Sequence, residues 1–157
     1  MPLNAQPLDR AWIEAHIPHQ GSMCLLDEVL SWDARHVRCR STSHRRIDHP
    51  LRAHGRLGIA CGIEYVAQAM AVHGAIGAKH AVAGAPKVEV GFLAGLREVR
   101  MHAQRLDDIE SDLVCEVRRI AGDATTALYT FSLDAARRPL LSGRATVVLD
   151  ARQRVSP

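Results

Sequence analysis

Aromatic residues are nearly missing: Phe, Tyr and Trp contribute two each, 4% of 157 residues. Without rings to stack on bases, the chain does not fit a single-strand nucleic-acid module. Its core must be built from Ala, Val, Leu and Ile. Cysteine patterning is absent too. Cys24, Cys39, Cys61 and Cys115 lie far apart with no C-x-x-C pair, which speaks against a zinc or disulfide set and for reduced, mostly buried thiols. No run approaches transmembrane length. The polar segment Met1–Arg10 carries Asp9 and leads into no apolar signal core, so no membrane span is expected and the cytoplasm is the expected location. Charge is close to balanced, at +3 with an isoelectric point of about 8.9. That mildly basic balance suits an acidic or phosphorylated partner without requiring one.

What is present is a hydrophobic share of 47% over a length that suits one domain, residues 1–157. Asp9–His16 reads as a short helix ended by Pro18. Met23–Trp32 and His36–Ser43 read as strands joined at Trp32-Asp33-Ala34. Ser43–Leu57 is an irregular loop rich in His and Arg. From Ile59 to about His80 runs the one long helix, apolar nearly all round and therefore buried. Its small residues Ala67, Ala71, Gly74, Ala75 and Ala78 are expected to let a sheet close against it. Lys87–Ala103 (bent at Gly95), Asp112–Ile120, Thr125–Asp134 and Leu140–Leu149 read as strands, with turns at Gly122-Asp123 and Arg137-Arg138-Pro139. One buried helix with an antiparallel meander is an α+β arrangement.

Glu64 and Gln68, four apart, share a face of that helix. A carboxylate in apolar surroundings is costly unless paired or used. Burial is expected to raise its pKa, which suits a group that holds or donates a proton near neutrality. The plain alternative is a Glu that caps a loop amide or meets Arg45, Arg46, Arg52 or Arg56. His44, His49 and His54 recur every five residues, a spacing that fits neither one helix face nor one strand face, so no metal centre is expected. Cys61 stands at the start of the helix, where a thiol pKa can be lowered; with no base placed beside it, a structural cysteine is the simpler reading. His73 lies about half a turn round from Glu64 and is not expected to share its site. The arginine cluster is either a docking surface or a solvated loop.

Three segments in order resemble the hot-dog-fold 3-hydroxyacyl-carrier-protein dehydratases. Ile17-Pro18-His19-Gln20-Gly21-Ser22-Met23-Cys24-Leu25-Leu26-Asp27-Glu28-Val29 resembles the opening loop and strand of that family. Gly62-Ile63-Glu64-Tyr65-Val66-Ala67-Gln68-Ala69-Met70 resembles its central helix, and Val90-Gly91-Phe92-Leu93 the strand that follows. The resemblance is closest to a divergent branch associated with aryl-polyene pigment clusters. It implies a hot-dog fold, with a central helix wrapped by a curved antiparallel sheet, and elimination of water from a 3-hydroxyacyl thioester without a cofactor. There a His takes the α-proton and the helix carboxylate handles the leaving hydroxyl. Carried onto this chain, the carboxylate is Glu64 and the base is His49 of Asp48-His49-Pro50, with His54 as its rival; His19 only orders the first loop. Gln68, Ile59, Cys61 and Gly62 would line the substrate. Ala60, Cys61 or Gly62 would supply the oxyanion N–H, and Arg52 and Arg56 would meet the carrier or its phosphate. Expected partners are an acyl carrier protein or a CoA thioester, and a second copy or a second hot-dog subunit. The family's Pro-Gly at the helix entrance is replaced here by Gly58-Ile59, and the Phe after the His is missing. Two alternatives therefore stand beside the dehydratase: a thioesterase that uses Glu64, and a non-catalytic partner subunit.

Overall fold

The computed structural model describes residues 8–79 and 91–149. The chain opens with β1 (Leu8–Asp9) and α1 (Arg10–His16). Asp9 caps α1 by accepting the Trp12 N–H at 2.9 Å. Then come β2 (Glu28–Trp32), β3 (His36–Ser41), the central helix α2 (Gly62–Lys79), β4 (Gly91–Met101), β5 (Leu113–Gly122), β6 (Thr126–Ala135) and β7 (Arg138–Leu149). All seven strands form one antiparallel sheet in the order β1-β2-β3-β5-β6-β7-β4. α2 packs on β3, β5 and β6. This is the hot-dog fold.

Alternation made the strands legible. In β6, Ala127, Tyr129, Phe131, Leu133 and Ala135 are buried and the residues between them are not. β5 does the same with Leu113, Cys115 and Val117. The β5–β6 turn needs Gly122, whose φ is +147° and whose added Cβ would lie 2.4 Å from the Thr126 carbonyl. β6 and β7 are joined through Ala136 and Arg137, both at positive φ, so this turn sits slightly before the expected Arg137-Arg138-Pro139. The expected bend at Gly95 is a register shift between Leu93 and Gly95, and a second follows between Arg97 and Arg100.

Four expectations are corrected. Met23–Trp32 is not one strand: Gly21–Met23 is a 3-10 turn and the ladder starts only at Glu28, because side chains take the backbone groups of Leu25. Ile59–Cys61 is likewise a 3-10 turn, with α2 starting at Gly62. A run does reach transmembrane length, since Ile59–Ala78 is long and apolar enough, but 56% of it is buried under the sheet, as suits a core helix. Finally, the sheet does not close on the small residues of α2. Tyr65, Val66, Ala69, Val72 and Ile76 take the packed side, each large one worth about 1.5–3 kcal/mol of burial. Ala67, Ala71, Gly74 and Ala75 border a cavity instead. The close approach falls at Gly62, where a Cβ would lie 2.9 Å from Leu133 and from Leu141. His80 and Lys87–Val90, expected in the helix and in the next strand, lie outside the described residues.

Candidate active site

Glu64 stands in the first turn of α2, on the wall of a cavity of about 250 Å³. The Oε1 atom of Glu64 lies 3.1 Å from His19 Nε2. It also accepts a hydrogen bond from Gln68 Nε2 at 3.1 Å. Gln68 is fully buried and every polar group on it is used. Its second N–H goes to the Met23 carbonyl at 2.7 Å, and its Oε1 accepts the Leu25 N–H at 2.9 Å. The helix thus aims Glu64, Gln68 clamps it, and the loop after α1 brings His19 across. The donated His19 bond holds the Glu64 carboxyl below its ordinary range; burial opposes this and Gln68 adds to it. The expectation of a raised pKa is therefore overturned. The carboxylate is ionised at neutral pH and accepts protons rather than donating them.

From Glu64 the cavity runs past Ala67, Ala71 and Gly74 on α2, faced by Phe92 and Leu93 of β4. A Cβ added at Gly74 would meet nothing within 4 Å. The Tyr129 ring forms another part of the wall. His73 Nε2 lies 3.1 Å from the Ala34 carbonyl, so that nitrogen carries the hydrogen, and Nδ1 accepts the Tyr129 O–H at 2.8 Å. The phenol hydrogen is turned away from the cavity, which leaves an apolar lining beyond the Glu64–His19 pair. His73 does stay apart from Glu64.

The structure does not bring His49 to Glu64. His49 is buried, its Nδ1 accepting the Leu51 N–H at 3.0 Å. A backbone N–H can only donate, so the ring proton sits on Nε2 and is given to Tyr65 Oη at 3.0 Å. Burial, with Arg52 and Arg46 nearby, lowers its pKa. His49 is a locked neutral donor inside its own subunit. His54 does not border the cavity either; it is exposed at φ +54° beside Gly55 at +75°, in the tip of a tight turn closed by Ala53 and Arg56. His44 gives its Nε2 hydrogen to the Ile109 carbonyl at 2.9 Å; the three histidines are not gathered.

At the helix entrance Ala60 is exposed and does not border the cavity. The N–H groups of Ile59, Cys61 and Gly62 go to the carbonyls of Gln104, Gly58 and Ile59. Cys61 leans toward the Leu51 carbonyl, and burial pushes its thiol up. None of Ile59, Cys61, Gly62, Gln68, Arg52 or Arg56 borders the cavity. Arg45 and Arg46 are paired with Asp112 and Asp48, and Arg52 binds the Gly55 and His44 carbonyls. Arg56 stays exposed. The residue that sequence reasoning undervalued is His19. It sits in the quoted Pro18-His19 segment, but no periodicity links that segment to the helix. Only the fold sets them side by side.

The family model described as ApeP dehydratase (ApeP-like) matches residues 11–155. No curated protein matches the chain. Among solved structures, the dehydratase heterocomplex ApeI:P from Xenorhabdus doucetiae is similar at TM-score 0.78 and 23% identity, over 90% of this chain and 92% of that one. A hypothetical thioesterase with coenzyme A from Streptococcus pneumoniae gives TM-score 0.55 at 11% identity, over 78% and 84%. A mutant thioesterase from Pseudomonas aeruginosa gives 0.57 at 13%, over 94% and 96%.

Proposed function

Because this chain belongs to the ApeP-like dehydratase family, we propose that it is a dehydratase subunit that eliminates water from 3-hydroxyacyl thioesters in polyene synthesis, with Glu64 and His19 as the reacting pair. The observation that carries this is the 3.1 Å contact between the two on the wall of an apolar cavity. A reacting chain needs a base at its α-carbon and an acid at its β-hydroxyl, within reach of one another. The ionised Glu64 carboxylate takes the α-proton. The His19 ring, entering the step protonated on both nitrogens, gives one proton to the hydroxyl, which leaves as water as the C=C bond forms. Passing the proton from Glu64 to His19 across their contact resets the pair. These roles are the reverse of the His base and Glu acid that the resemblance implies, and His19 replaces His49 and His54.

The chain's carrier is an acyl carrier protein or CoA, and its compartment is the cytoplasm. Its partner is a second hot-dog subunit on the edge of β4 that pairs with no other strand among the described residues. That edge exposes Phe92 (52%), Leu93 (41%) and Met101 (50%), and Phe92 and Leu93 also wall the cavity. An unpaired strand of this length is normally covered, and covering it would close the cavity.

The test is an assay of dehydration with 3-hydroxyacyl thioesters, on the chain alone and with its cognate hot-dog partner. His19→Asn and Glu64→Gln should each lower formation of the α,β-unsaturated product by about 10²-fold or more. Release of free acid instead, dependent on Glu64, would mean a thioesterase. Dehydration by the complex that survives Glu64→Gln would make this chain a non-catalytic partner.

A further inference from the structure

His49, Tyr65, Ser43 and Ser41 form a buried polar chain that takes no part in the chemistry above. The contacts run from His49 Nε2 to Tyr65 Oη at 3.0 Å, Tyr65 Oη to Ser43 Oγ at 2.7 Å, and Ser43 Oγ to Ser41 Oγ at 2.9 Å, ending on the Leu25 carbonyl at 2.5 Å. We infer that this chain is a positioning device: it fixes the Leu25 backbone against α2, and through Leu25 and Gln68 it holds the Glu64 carboxylate in its reactive orientation. The inference rests on the reading of Glu64 and His19 as the reacting pair.

The direction of every bond follows from its two ends. At one end Leu51 N–H points into His49 Nδ1, so His49 must donate from Nε2. Tyr65 must then donate to Ser43, and Ser43 to Ser41. At the other end the Leu25 carbonyl can only accept, so Ser41 donates to it, and the same order follows backward. Only one proton arrangement satisfies both ends. Ser41 and Tyr65 are fully buried, and Ser43 and His49 nearly so, so water offers no substitute and each broken link leaves a group unpaired. Leu25 has no strand partner. Its carbonyl is held by Ser41 and its N–H by Gln68. Gln68 has its amide orientation set by that N–H and by the Met23 carbonyl, and only in that orientation does it donate to Glu64. The clamped segment directly follows the loop that carries His19.

Ser41→Ala and Tyr65→Phe break the chain with little change in shape. With a 3-hydroxyacyl thioester, each should lower kcat by up to about 10²-fold, the scale of a misplaced reacting group, and leave KM within about twofold. Each should also move the acidic limb of the kcat/KM profile to higher pH, since Glu64 loses the Gln68 bond that helps keep it ionised. A fold-only role would not move that limb. Ser41→Thr, which restores the hydroxyl, should return both values toward wild type. A carbon-13 NMR titration of the Glu64 carboxyl reads the same shift without any assay. If the wild type shows no dehydration, the reacting-pair reading fails while the titration still decides the clamp. Wild-type kcat and an unmoved Glu64 titration in folded Tyr65→Phe would overturn the inference.

Discussion

Glu64 and Tyr65 are adjacent on one helix and belong to two different environments. Glu64 is on the cavity wall, its side chain 32% exposed and paired with His19. Tyr65, about 100° further round the helix, is sealed with no exposure and is paired with His49. Each side presents a histidine to the helix, and the two rings do opposite work. His19 meets a carboxylate that is free to exchange protons with a substrate. His49 has both nitrogens committed, and the Tyr65 phenol is pushed up by burial. An imidazole near a helix carboxylate in sequence is therefore no guide to which ring reacts; the partner of its second nitrogen decides.

The comparison breaks most sharply at the proposed reacting pair. Glu64→Gln should cost about 10²-fold or more in dehydration, the usual scale for a lost acid or base, with folding intact because a neutral amide is no harder to hold there. His19→Asn should match it in turnover. His49→Asn should cost about 1–3 kcal/mol in stability by leaving Leu51 N–H or Tyr65 unpaired, and should lower turnover no further than Tyr65→Phe does, because His49 reaches Glu64 only through that chain. Thermal denaturation beside a turnover assay separates the two, and the contrast collapses if His49→Asn keeps full stability while losing as much turnover as Glu64→Gln.

A smaller effect appears with pH. Burial lowers the pKa of His44, His49 and His73. As pH falls through about 6.5 the unfolded chain binds protons that the folded chain refuses. Their contribution to stability is thus complete above that pH. It is lost below it, at up to about 1.4 kcal/mol per pH unit for each ring. Melting temperature should fall between pH 7 and pH 5, and histidine NMR should show these three rings titrating below the ordinary histidine range. Early titration of His49 would contradict its locked state.

The smallest effect is expected at Gly74. Replacing a helix-interior glycine by Ala should stabilise by about 0.5–1 kcal/mol, since the added Cβ meets nothing within 4 Å. Gly74→Val should go on to shorten the cavity, lowering kcat/KM for 3-hydroxyoctanoyl relative to 3-hydroxybutyryl substrates by about tenfold or more. Equal losses on both substrates would show that the long chain does not pass Gly74.

Much of the fold was legible because it rests on local periodicity. Alternation in β5 and β6 and the apolar length of α2 identify the elements. Glu64 and Gln68 were legible as neighbours for the same reason, a spacing of four on one helix. The Met23–Trp32 reading failed where Gln68 and Ser41 replace the ladder partners of Leu25, a substitution made from distant parts of the chain. The stripe from Ala67 to Ala75 was read as a packing surface because small residues look alike whether they face a sheet or a void.

By itself, then, the sequence determined the elements, the carboxylate and its amide neighbour, and the resemblance that named the chemistry, because each depends on residues close together along the chain. Tertiary structure alone decided which histidine meets Glu64, since His19 and His49 lie on separate loops that the fold carries to different faces of α2, one at Glu64 and the other at Tyr65. It also decided the charge on Glu64. Burial by itself raises a carboxyl pKa, and the donor that outweighs burial comes from a loop that no spacing along the chain connects to the helix.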